Sequence, residues 1–471
     1  MEVVVVSRRT ISLVVAALAV VAFPGLTSVA GGEAPSAPSA ADVDDFDLVA
    51  VTESVVLTTE ELEHVRELRR AAGVTDDPAV VSALYTNPVE TGAWVSTSLM
   101  FGATRVVAAE MPALRTHALV SWYAATMESE AEAELGGGFA GAYVDGTSFA
   151  VRCAGCDAPA AEQAIRARVP AEVQASVRVE GVAHSLVDLV GAERDVNEGL
   201  ATAVEAMATA VDVRTNRVVV EVADEDAALA EAAIDDVETD GVPVDVEATD
   251  SGPEDYVNKN DFYAFGLVGG GMAIKRMGSG SSWDCTSSLP ATSAVYGDFL
   301  LTAGHCGNVS STWRQGGSDL GTLAIDADSG NFDAAAISTA GVRPSAGNTH
   351  WTSSDYWHPL TFTIGLNGDA VGQTVCHNGA GLTGLSGNLN GSSRCGVISS
   401  RAFDPGAGWS NKFRKAGFAA TTGDSGATVV WPTIFGHGAA GIIKGGNGSS
   451  AHYSHLPHVL QAWGLTVKAW A

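Results

Sequence analysis

Two short strings of the sequence carry the residue types that acyl transfer needs. TAGHC at residues 302–306 places His305 in a turn of small residues, and GDSG at residues 423–426 places Ser425 between glycines. A serine hydroxyl is a poor nucleophile at neutral pH unless a base takes its proton as it attacks. The flanking glycines let the backbone turn sharply, so the N–H groups of Gly423 and Ser425 can serve one developing oxyanion. Together the strings predict a nucleophile, its base and an oxyanion hole.

A base of this kind also needs a buried carboxylate, which holds the imidazole in one tautomer and stabilises the imidazolium. Asp333 is the predicted partner of His305, because an apolar run follows it in FDAAAI at residues 332–337. Its rivals, Asp326 and Asp328, lie in the polar string DADSG and are expected to be turn residues. His305, Asp333 and Ser425 are therefore the predicted catalytic residues.

The order histidine, aspartate, serine, with these strings around it, resembles the chymotrypsin superfamily. More narrowly, the chain is similar to the secreted bacterial streptogrisin and alpha-lytic protease group, whose members are made as pro-enzymes. LVGG at residues 267–270 resembles the start of that group's mature domain, and LPHVL at residues 456–460 the start of its C-terminal helix. VDVRTNRVVV at residues 211–220 resembles the hallmark of its pro-region.

The resemblance implies an all-β mature domain of two antiparallel six-stranded barrels of the trypsin-like kind, preceded by an α/β pro-region. The implied domains are a secretory signal peptide at residues 1–30, an acidic pro-region at 31–266 and a serine protease domain at 267–471. The pro-region would template folding and inhibit the enzyme. His305 and Asp333 would belong to the first barrel and Ser425 to the second, with residues 342–359 carrying the chain across.

Composition supports the same division of the chain. Arg8 and Arg9 precede an apolar stretch at residues 11–26, and small residues follow at 28–30, as in a secretory signal. Residues 1–256 hold 44 of the 55 acidic and 14 of the 26 basic residues, whereas residues 257–471 hold 11 and 12. Such an asymmetry indicates separate modules.

Periodicity differs between the two parts. The acidic part shows helical periodicity, for example at residues 58–72 and 196–210, and strand pairs are expected at 139–154 and 211–224. The last part is rich in Gly, Ser, Thr and Asn, with short apolar runs between turns, which is typical of an all-β domain.

Charge and hydropathy indicate which kinds of molecule the protein is expected to bind. The acidic balance argues against nucleic-acid binding, which needs basic clusters, and after signal removal no membrane association is expected. The expected protein is a secreted, extracellular monomer whose partners are polypeptide substrates and its own pro-region, acting as intramolecular chaperone and inhibitor. No cofactor or metal is expected. His452, His455 and His458 recur every third residue, but Pro457 interrupts a shared ligand face, so a loop entering the last helix is the preferred interpretation.

Export permits disulfides, and the six cysteines fall into local pairs. Cys285–Cys306 would close a loop of about 20 residues and fix the turn that carries His305. Cys376–Cys395 would brace a Gly-, Asn- and Ser-rich hairpin. Cys153–Cys156 is a third candidate, for which a redox motif is the alternative interpretation.

The resemblance also assigns a substrate pocket with two walls. One wall is the segment before Gly423, with Ala419, Ala420, Thr421 and Thr422, and the opposite wall contains Lys444, Gly445 and Gly446. These walls offer no aspartate to a basic side chain, so an apolar or aromatic residue is expected before the scissile bond. FYAF at residues 262–265, just before LVGG, would give a self-cleaving enzyme such a site.

The sequence departs from the group's pattern at three positions. Lys444 stands where the group usually has a serine that hydrogen-bonds the catalytic aspartate. A lysine there would swing out to solvent or pair with a carboxylate, and a cation leaning toward the cleft would instead favour an acidic substrate residue. Ala427 replaces a second glycine after the nucleophile, and Thr421 stands where many relatives have a bracing cysteine.

The alternatives to a peptidase are a catalytically inactive binding protein on the same fold and, third, an adhesion module.

Overall fold

A computed structural model describes most of the 471-residue chain. The described residues are 48–96, 104–200, 203–204, 207–249, 254–255, 268–278, 285–315, 318–339, 345–353, 356–377, 379, 394–406, 409, 412–433, 436–446 and 449–468. The predicted signal peptide and the predicted maturation junction at residues 262–267 lie outside them. No helix among these residues is long and apolar enough to cross a membrane.

The helices concentrate in residues 48–249, here called the α/β region. They are α1 Thr59–Ala71, α2 Pro78–Thr86, α3 Pro88–Thr91, α4 Met111–Leu135, α5 Ala158–Arg166, α6 Leu186–Leu200 and α7 Ala227–Ile234, with α8 Leu456–Trp463 near the C-terminus. Local sequence sets several of their starts. Thr58 and Glu61 form a reciprocal capping box at α1, and the Asp77 side chain accepts from the first-turn N–H groups of α2.

The strands of the α/β region and of the short segment after it number ten among the described residues. They are β1 Leu48–Ala50, β2 Trp94–Ser96, β3 Arg105–Val106, β4 Phe139–Asp145, β5 Ser148–Ala154, β6 Val177–Val182, β7 Met207–Asp212, β8 Arg217–Ala223, β9 Val244–Thr249 and β10 Glu254–Asp255. Two units repeat the order helix, hairpin, helix, strand: α4–β4–β5–α5–β6 and α6–β7–β8–α7–β9. In each unit the last strand lies parallel to the second strand of the hairpin.

Residues 268–468, the two-barrel region, are mostly strand. The strands are β11 Val268–Gly270, β12 Ala273–Arg276, β13 Cys285–Thr286, β14 Pro290–Ser293, β15 Gly297–Thr302, β16 Thr312–Gln315, β17 Ser318–Ser329, β18 Phe332–Ser338, β19 Ser345–Ser353, β20 Tyr356–Thr363, β21 Thr374–His377, β22 Arg394–Asp404, β23 Phe413–Ala416, β24 Thr428–Thr433, β25 Gly436–Gly446, β26 Ala451–His455 and β27 Thr466–Val467.

The first barrel is an antiparallel sheet in the order β12–β16–β17–β18–β15–β14. β13 pairs with β12 and continues through residues 287–289 into β14, so the sheet curls toward its own edge. Leu300, Trp313, Leu323 and Ile337 fill its interior. Alternation of these residues with outward-facing ones along each strand is the usual source of a barrel core.

The second barrel is a closed ring of six antiparallel strands in the order β21–β22–β23–β26–β25–β24, with β24 pairing back to β21. Its core includes Val375, Ile398, Phe418 and Val429. The trypsin-like arrangement of two antiparallel barrels after a helix-containing α/β region, predicted as the fold class, is confirmed.

The α/β region continues the sheet of the second barrel. β7 pairs antiparallel with β22, so the strand order runs β22–β7–β8–β9. The hydrophobic core is continuous as well, since Tyr143, Leu189 and Val211 belong to the same buried cluster as Phe418 of the barrel.

One expectation about local structure was wrong. The helical pattern at residues 196–210 predicted one helix, but α6 ends at Leu200 and residues 207–212 form β7. β7 is a strand because pairing with β8 and β22 and packing of Ala208 and Ala210 on Phe403 and Phe413 override the local pattern. Residues 342–359, expected to carry the chain across between the barrels, contain the β19–β20 hairpin, and β20 pairs with β25 of the second barrel.

Candidate active site

His305 lies in a short 3-10 turn, Gly304–Cys306, directly after β15. The disulfide Cys285–Cys306 joins this turn to β13. Gly304 is required by close packing, because a Cβ at this position would lie 2.0 Å from the Ala327 carbonyl oxygen and 2.7 Å from Asp333 Oδ1. The small residues of the TAGHC string therefore let the histidine turn sit directly against β17 and β18.

Asp333 lies in β18 and is fully buried. Its Oδ1 accepts from the His305 backbone N–H at 2.9 Å, and its Oδ2 lies 2.6 Å from His305 Nδ1. The second barrel holds its backbone, because the Ser454 hydroxyl accepts from Asp333 N–H at 2.8 Å and donates to the Asp333 carbonyl at 2.9 Å. The carboxylate is thus oriented from both barrels.

Ser425 is fully buried in the turn before β24, and its Oγ lies 3.0 Å from His305 Nε2 and 3.1 Å from the Lys444 carbonyl oxygen. Gly423 and Gly426 adopt left-handed backbone angles, with φ of 108° and 89°. The first barrel fixes this turn, since Thr286 N–H donates to the Ser425 carbonyl at 2.7 Å and the Thr286 hydroxyl donates to the Gly423 carbonyl.

The structure thus brings together the three residues that the motifs predicted. With Nδ1–H donating to the Asp333 carboxylate, the neutral imidazole presents the lone pair of Nε2 to the serine hydroxyl, which is the geometry of a serine and its general base. Burial alone would raise the pKa of the Asp333 carboxyl. The positive charge that His305 carries when protonated and its hydrogen bonds, then the charge of Lys444, more than offset this and hold the pKa of Asp333 below its usual value.

Lys444 is buried at the end of β25, with its Nζ 3.8 Å from Asp333 Oδ2 and 4.6 Å from the centre of the Trp409 ring. Of the two alternatives left by the sequence, solvent or a carboxylate, the structure has the carboxylate. Because β25 belongs to the second barrel and Asp333 to the first, this ion pair spans the junction between the barrels.

Sequence reasoning missed a second carboxylate at the site. Asp328, expected to be a turn residue, lies in β17 directly opposite Asp333 of β18. One of its carboxylate oxygens, one Asp333 oxygen and one His305 ring nitrogen all lie within 4.8 Å of one another, and the Asp328 side chain is exposed. The polar DADSG string hid this strand, and only its pairing with FDAAAI could have indicated it.

The predicted pocket residues fall into two backbone segments on either side of Ser425. Ala419, Ala420, Thr421 and Thr422 form the segment before Gly423, in which Thr421 N–H donates to Asp424 Oδ2 at 2.7 Å. Gly445 and Gly446 end β25 on the other side.

His377, for which the sequence offered no partner, lies behind the first of these segments. Its Nε2 donates to the Ala419 carbonyl at 3.0 Å. Burial lowers the pKa of this imidazole to about 4, so it is neutral at ordinary pH. The histidine therefore supports the backbone of Ala419 without adding a charge behind it.

The other cysteines and histidines occupy structural positions. Disulfides join Cys376 to Cys395, directly opposite each other on β21 and β22, and Cys153 to Cys156. The ring of His452 stacks near Phe403. His455 lies 3.6 Å from Asp369 and in edge contact with His458.

Part of the chain upstream of the barrels lies against the end of β25. β10 pairs antiparallel with the end of β25, Glu254 opposite Gly446 and Asp255 opposite Gly445. One predicted wall of the pocket is therefore already paired with the preceding segment of the same chain.

This geometry can be set beside known proteins. No protein-family model and no curated protein matches the chain. The chain is similar in fold to bacterial chymotrypsin-like proteases. Cellulomonas bogoriensis chymotrypsin and Nocardiopsis protease (NAPase) each share 23% identity with it, at a TM-score of 0.33 over 43% of this chain and 99% of theirs. Thermobifida fusca Protease A shares 19% over the same proportions, also at a TM-score of 0.33.

Proposed function

We propose that this chain is the precursor of a secreted serine endopeptidase that cleaves peptide bonds through His305, Asp333 and Ser425. The observation that carries the proposal is the continuous hydrogen-bond path from Asp333 Oδ2 through both ring nitrogens of His305 to Ser425 Oγ. A buried carboxylate, an imidazole and a hydroxyl in this order form the relay that activates a serine.

In the proposed mechanism Ser425 Oγ forms a bond to the substrate carbonyl carbon while its proton passes to His305 Nε2. Asp333 stabilises the resulting imidazolium, and the backbone N–H groups of Gly423 and Ser425 stabilise the oxyanion. When the C–N bond breaks, the imidazolium protonates the leaving amine and an acyl ester remains on Ser425. Water, deprotonated by His305, then attacks the ester carbonyl; the C–Oγ bond breaks, the imidazolium returns its proton to Ser425 Oγ, and the acid product leaves.

Residues 31–266 are proposed to be a pro-region that templates and inhibits the protease domain, after removal of a signal peptide at residues 1–30. Two contacts support this. The β10–β25 pairing places upstream chain against Gly445 and Gly446, where a substrate backbone would be expected to pair. The β7–β22 pairing lets the α/β region extend the sheet of the second barrel, whose largely non-local strand pairing would otherwise form slowly.

The proposed preference is for an apolar or aromatic residue before the scissile bond. Burying such a side chain is worth roughly 1.5–3 kcal/mol. Lys444 is the candidate for attracting an acidic substrate residue, but its Nζ contacts Asp333 and Trp409 instead. A panel of peptides that differ only at this residue is expected to give faster cleavage after Phe, Tyr or Leu. Faster cleavage after Glu would contradict the preference.

A serine-directed phosphonate tests the enzymatic proposal against the inactive binding protein. The purified wild-type product should be labelled covalently at Ser425, and the label should be found on the 423–426 peptide by mass spectrometry. Ser425→Ala should take up none. Wild-type protein that takes up no label and cleaves no peptide would favour the binding protein.

A further inference from the structure

Two opposite charges flank the His305–Asp333 pair, and neither belongs to the three motifs. Lys444 approaches Asp333 from the second barrel with a side chain that is 7% exposed. Asp328 approaches both Asp333 and His305 from β17, on the solvent side. An anion near an imidazole favours its protonated form, and a cation near it favours the neutral form.

The effect of each charge on the proposed base follows from its sign. Asp333 and Asp328 together would stabilise the imidazolium more than Asp333 does alone. His305 would then stay protonated up to a higher pH than with one carboxylate. A protonated His305 cannot accept the serine proton. Lys444 opposes this by neutralising one of the two carboxylates. The pair of flanking charges therefore leaves the imidazole facing a net charge close to that of a single aspartate.

We propose that Asp328 and Lys444 act as an opposed pair of positioning charges that sets the pH below which His305 is lost as a base. The inference rests on the proposed function, because it concerns the regulation of the same site. Neither charged side chain takes part in bond making, and each acts through His305 and Asp333.

Other charged or titratable residues belong to the elements packed around the site. Burial and the neighbouring charges, Lys444 first among them, hold the pKa of His452 on β26 well below its usual value, so that group is neutral. Lys415 on β23 is paired with Glu221 of β8. β10 pairs with β25, with Glu254 opposite Gly446 and Asp255 opposite Gly445 in the register. These groups are unchanged in every variant below, but Lys444 is one of the charges that act on His452, so the His452 resonance is followed in the same spectra.

The first test follows the titration of His305 by NMR in the full chain carrying Ser425→Ala and 15N-labelled histidine, with the resonance assigned by its loss in His305→Gln. Lys444→Met should raise the midpoint by about 0.5–1 pH unit, and Asp328→Asn should lower it by a similar amount. The double variant should return close to the starting value. Lys444→Arg, which keeps the charge, should stay near it.

Salt separates the two charges further. Because Asp328 is exposed and Lys444 is buried, about 1 M salt should reduce the shift caused by Asp328→Asn more than that caused by Lys444→Met. Lys468→Met is the matched control: it removes a lysine from an aspartate pair with Asp298, away from the three motifs, and should leave the midpoint unchanged.

The second test measures the acidic limb of kcat/KM for a peptide substrate in the same variants with Ser425 intact, where the midpoints should move in parallel. Shifts of equal sign in the two single variants, or no shift in either, would overturn the proposal even if hydrolysis is normal. If wild-type protein cleaves no peptide but the titrations shift in opposite directions, the proposed function fails while the charge pair stands. Should Lys444→Met not fold, Lys444→Gln removes the same charge and takes its place in both tests.

Discussion

At the scale of residues, two members of the proposed triad are held by the barrel to which they do not belong. Ser454 of the second barrel bonds both backbone groups of Asp333 in the first, and Thr286 of the first barrel bonds the carbonyl of Ser425 in the second. The 2.6 Å contact between Asp333 Oδ2 and His305 Nδ1 lies within the first barrel, whereas the 3.0 Å contact between His305 Nε2 and Ser425 Oγ joins the two barrels and depends on how they dock. Docking and catalytic geometry are coupled, because a shift of either barrel moves one partner of the His305–Ser425 contact.

Ser425→Ala should abolish peptide hydrolysis, with a loss in turnover on the order of 10⁶, and His305→Ala should cost about as much, because the two residues act as one unit. Steady-state cleavage of a chromogenic peptide measures both. Ser399→Ala provides the control, since this serine is exposed on β22 and its hydroxyl bonds only a backbone carbonyl, that of Lys415, at 3.3 Å. More than a few per cent of wild-type turnover in Ser425→Ala would refute the assignment.

The sequence predicted the residues of the relay because each sits in a distinctive local string. It did not predict Asp328 or the partner of Lys444, because their positions depend on pairing between distant segments. Asp328 reaches the site only because β17 and β18 pair in a register that places it opposite Asp333. A shift of one residue would have sent its side chain to the other face of the sheet.

At the scale of elements, the turn before β24 is limited by space as well as by backbone angle. A Cβ on Gly426 would lie 2.2 Å from the Thr286 carbonyl oxygen and 2.3 Å from Thr302 Oγ1, and φ is 89°. Rigid backbone of the first barrel supplies one of these contacts, so relief requires moving the barrels apart.

Gly426→Ala should therefore destabilise the chain by on the order of 3 kcal/mol or more and reduce activity together with stability. Gly464→Ala is the matched control, because Gly464 has φ of 60° but a Cβ there would meet nothing within 4 Å, so about 1 kcal/mol is expected. Thermal unfolding of the two variants in a Ser425→Ala background measures the difference. Equal losses would show that the packing argument is wrong.

Strand β7 shows why an element can be misjudged from its own sequence. The Ala- and Glu-rich stretch before it has helical periodicity, and the sequence alone gives residues 207–212 no partner. In the fold, Ala210 pairs with Phe403 of β22, almost two hundred residues later, and its small side chain allows Phe403 and Phe413 to pack closely. Long-range pairing decided this element, whereas the capping box of α1 made that helix predictable.

At the scale of the whole molecule, processing provides a separate prediction. If the chain matures itself, Ser425→Ala expressed without other proteases should accumulate uncut. Wild-type protein should yield a mature N-terminus between Tyr263 and Gly269, measured by intact-mass and N-terminal peptide analysis. Normal cutting of the mutant would rule out self-processing while leaving the peptidase proposal intact.

The contact between the α/β region and the second barrel contains ionisable groups on both sides. Glu128 of α4 pairs with Arg401, and Glu221 of β8 with Lys415. Glu193 of α6 instead has a hydroxyl partner, Thr209 of β7, whose Oγ1 donates to it at 2.7 Å.

The charge balance at this contact makes it sensitive to pH. Burial raises the pKa of Glu193 to about 7 despite that hydrogen bond, and nearby Asp404 of β22 adds to the shift. Burial likewise raises the pKa of Asp404 to about 6. The contact therefore favours protonated carboxyl groups.

The raised pKa of Glu193 sets the sign of the expected change of stability with pH. A carboxyl whose pKa is higher in the folded chain binds its proton more tightly there, so its contribution is most favourable below pH 4.5 and is lost as pH rises toward 7. Buried histidines such as His377, whose pKa is lowered, make the folded chain less stable as the pH falls below about 6.5. The contribution of Glu193 is therefore measured as the difference in unfolding free energy between the parent protein and its Glu193 variant. In a Ser425→Ala background, Glu193→Gln should reduce the loss of unfolding free energy between pH 5 and pH 8 by about 2 kcal/mol, measured by urea titration. An unchanged pH dependence would show that Glu193 is ionised in the folded chain throughout this range.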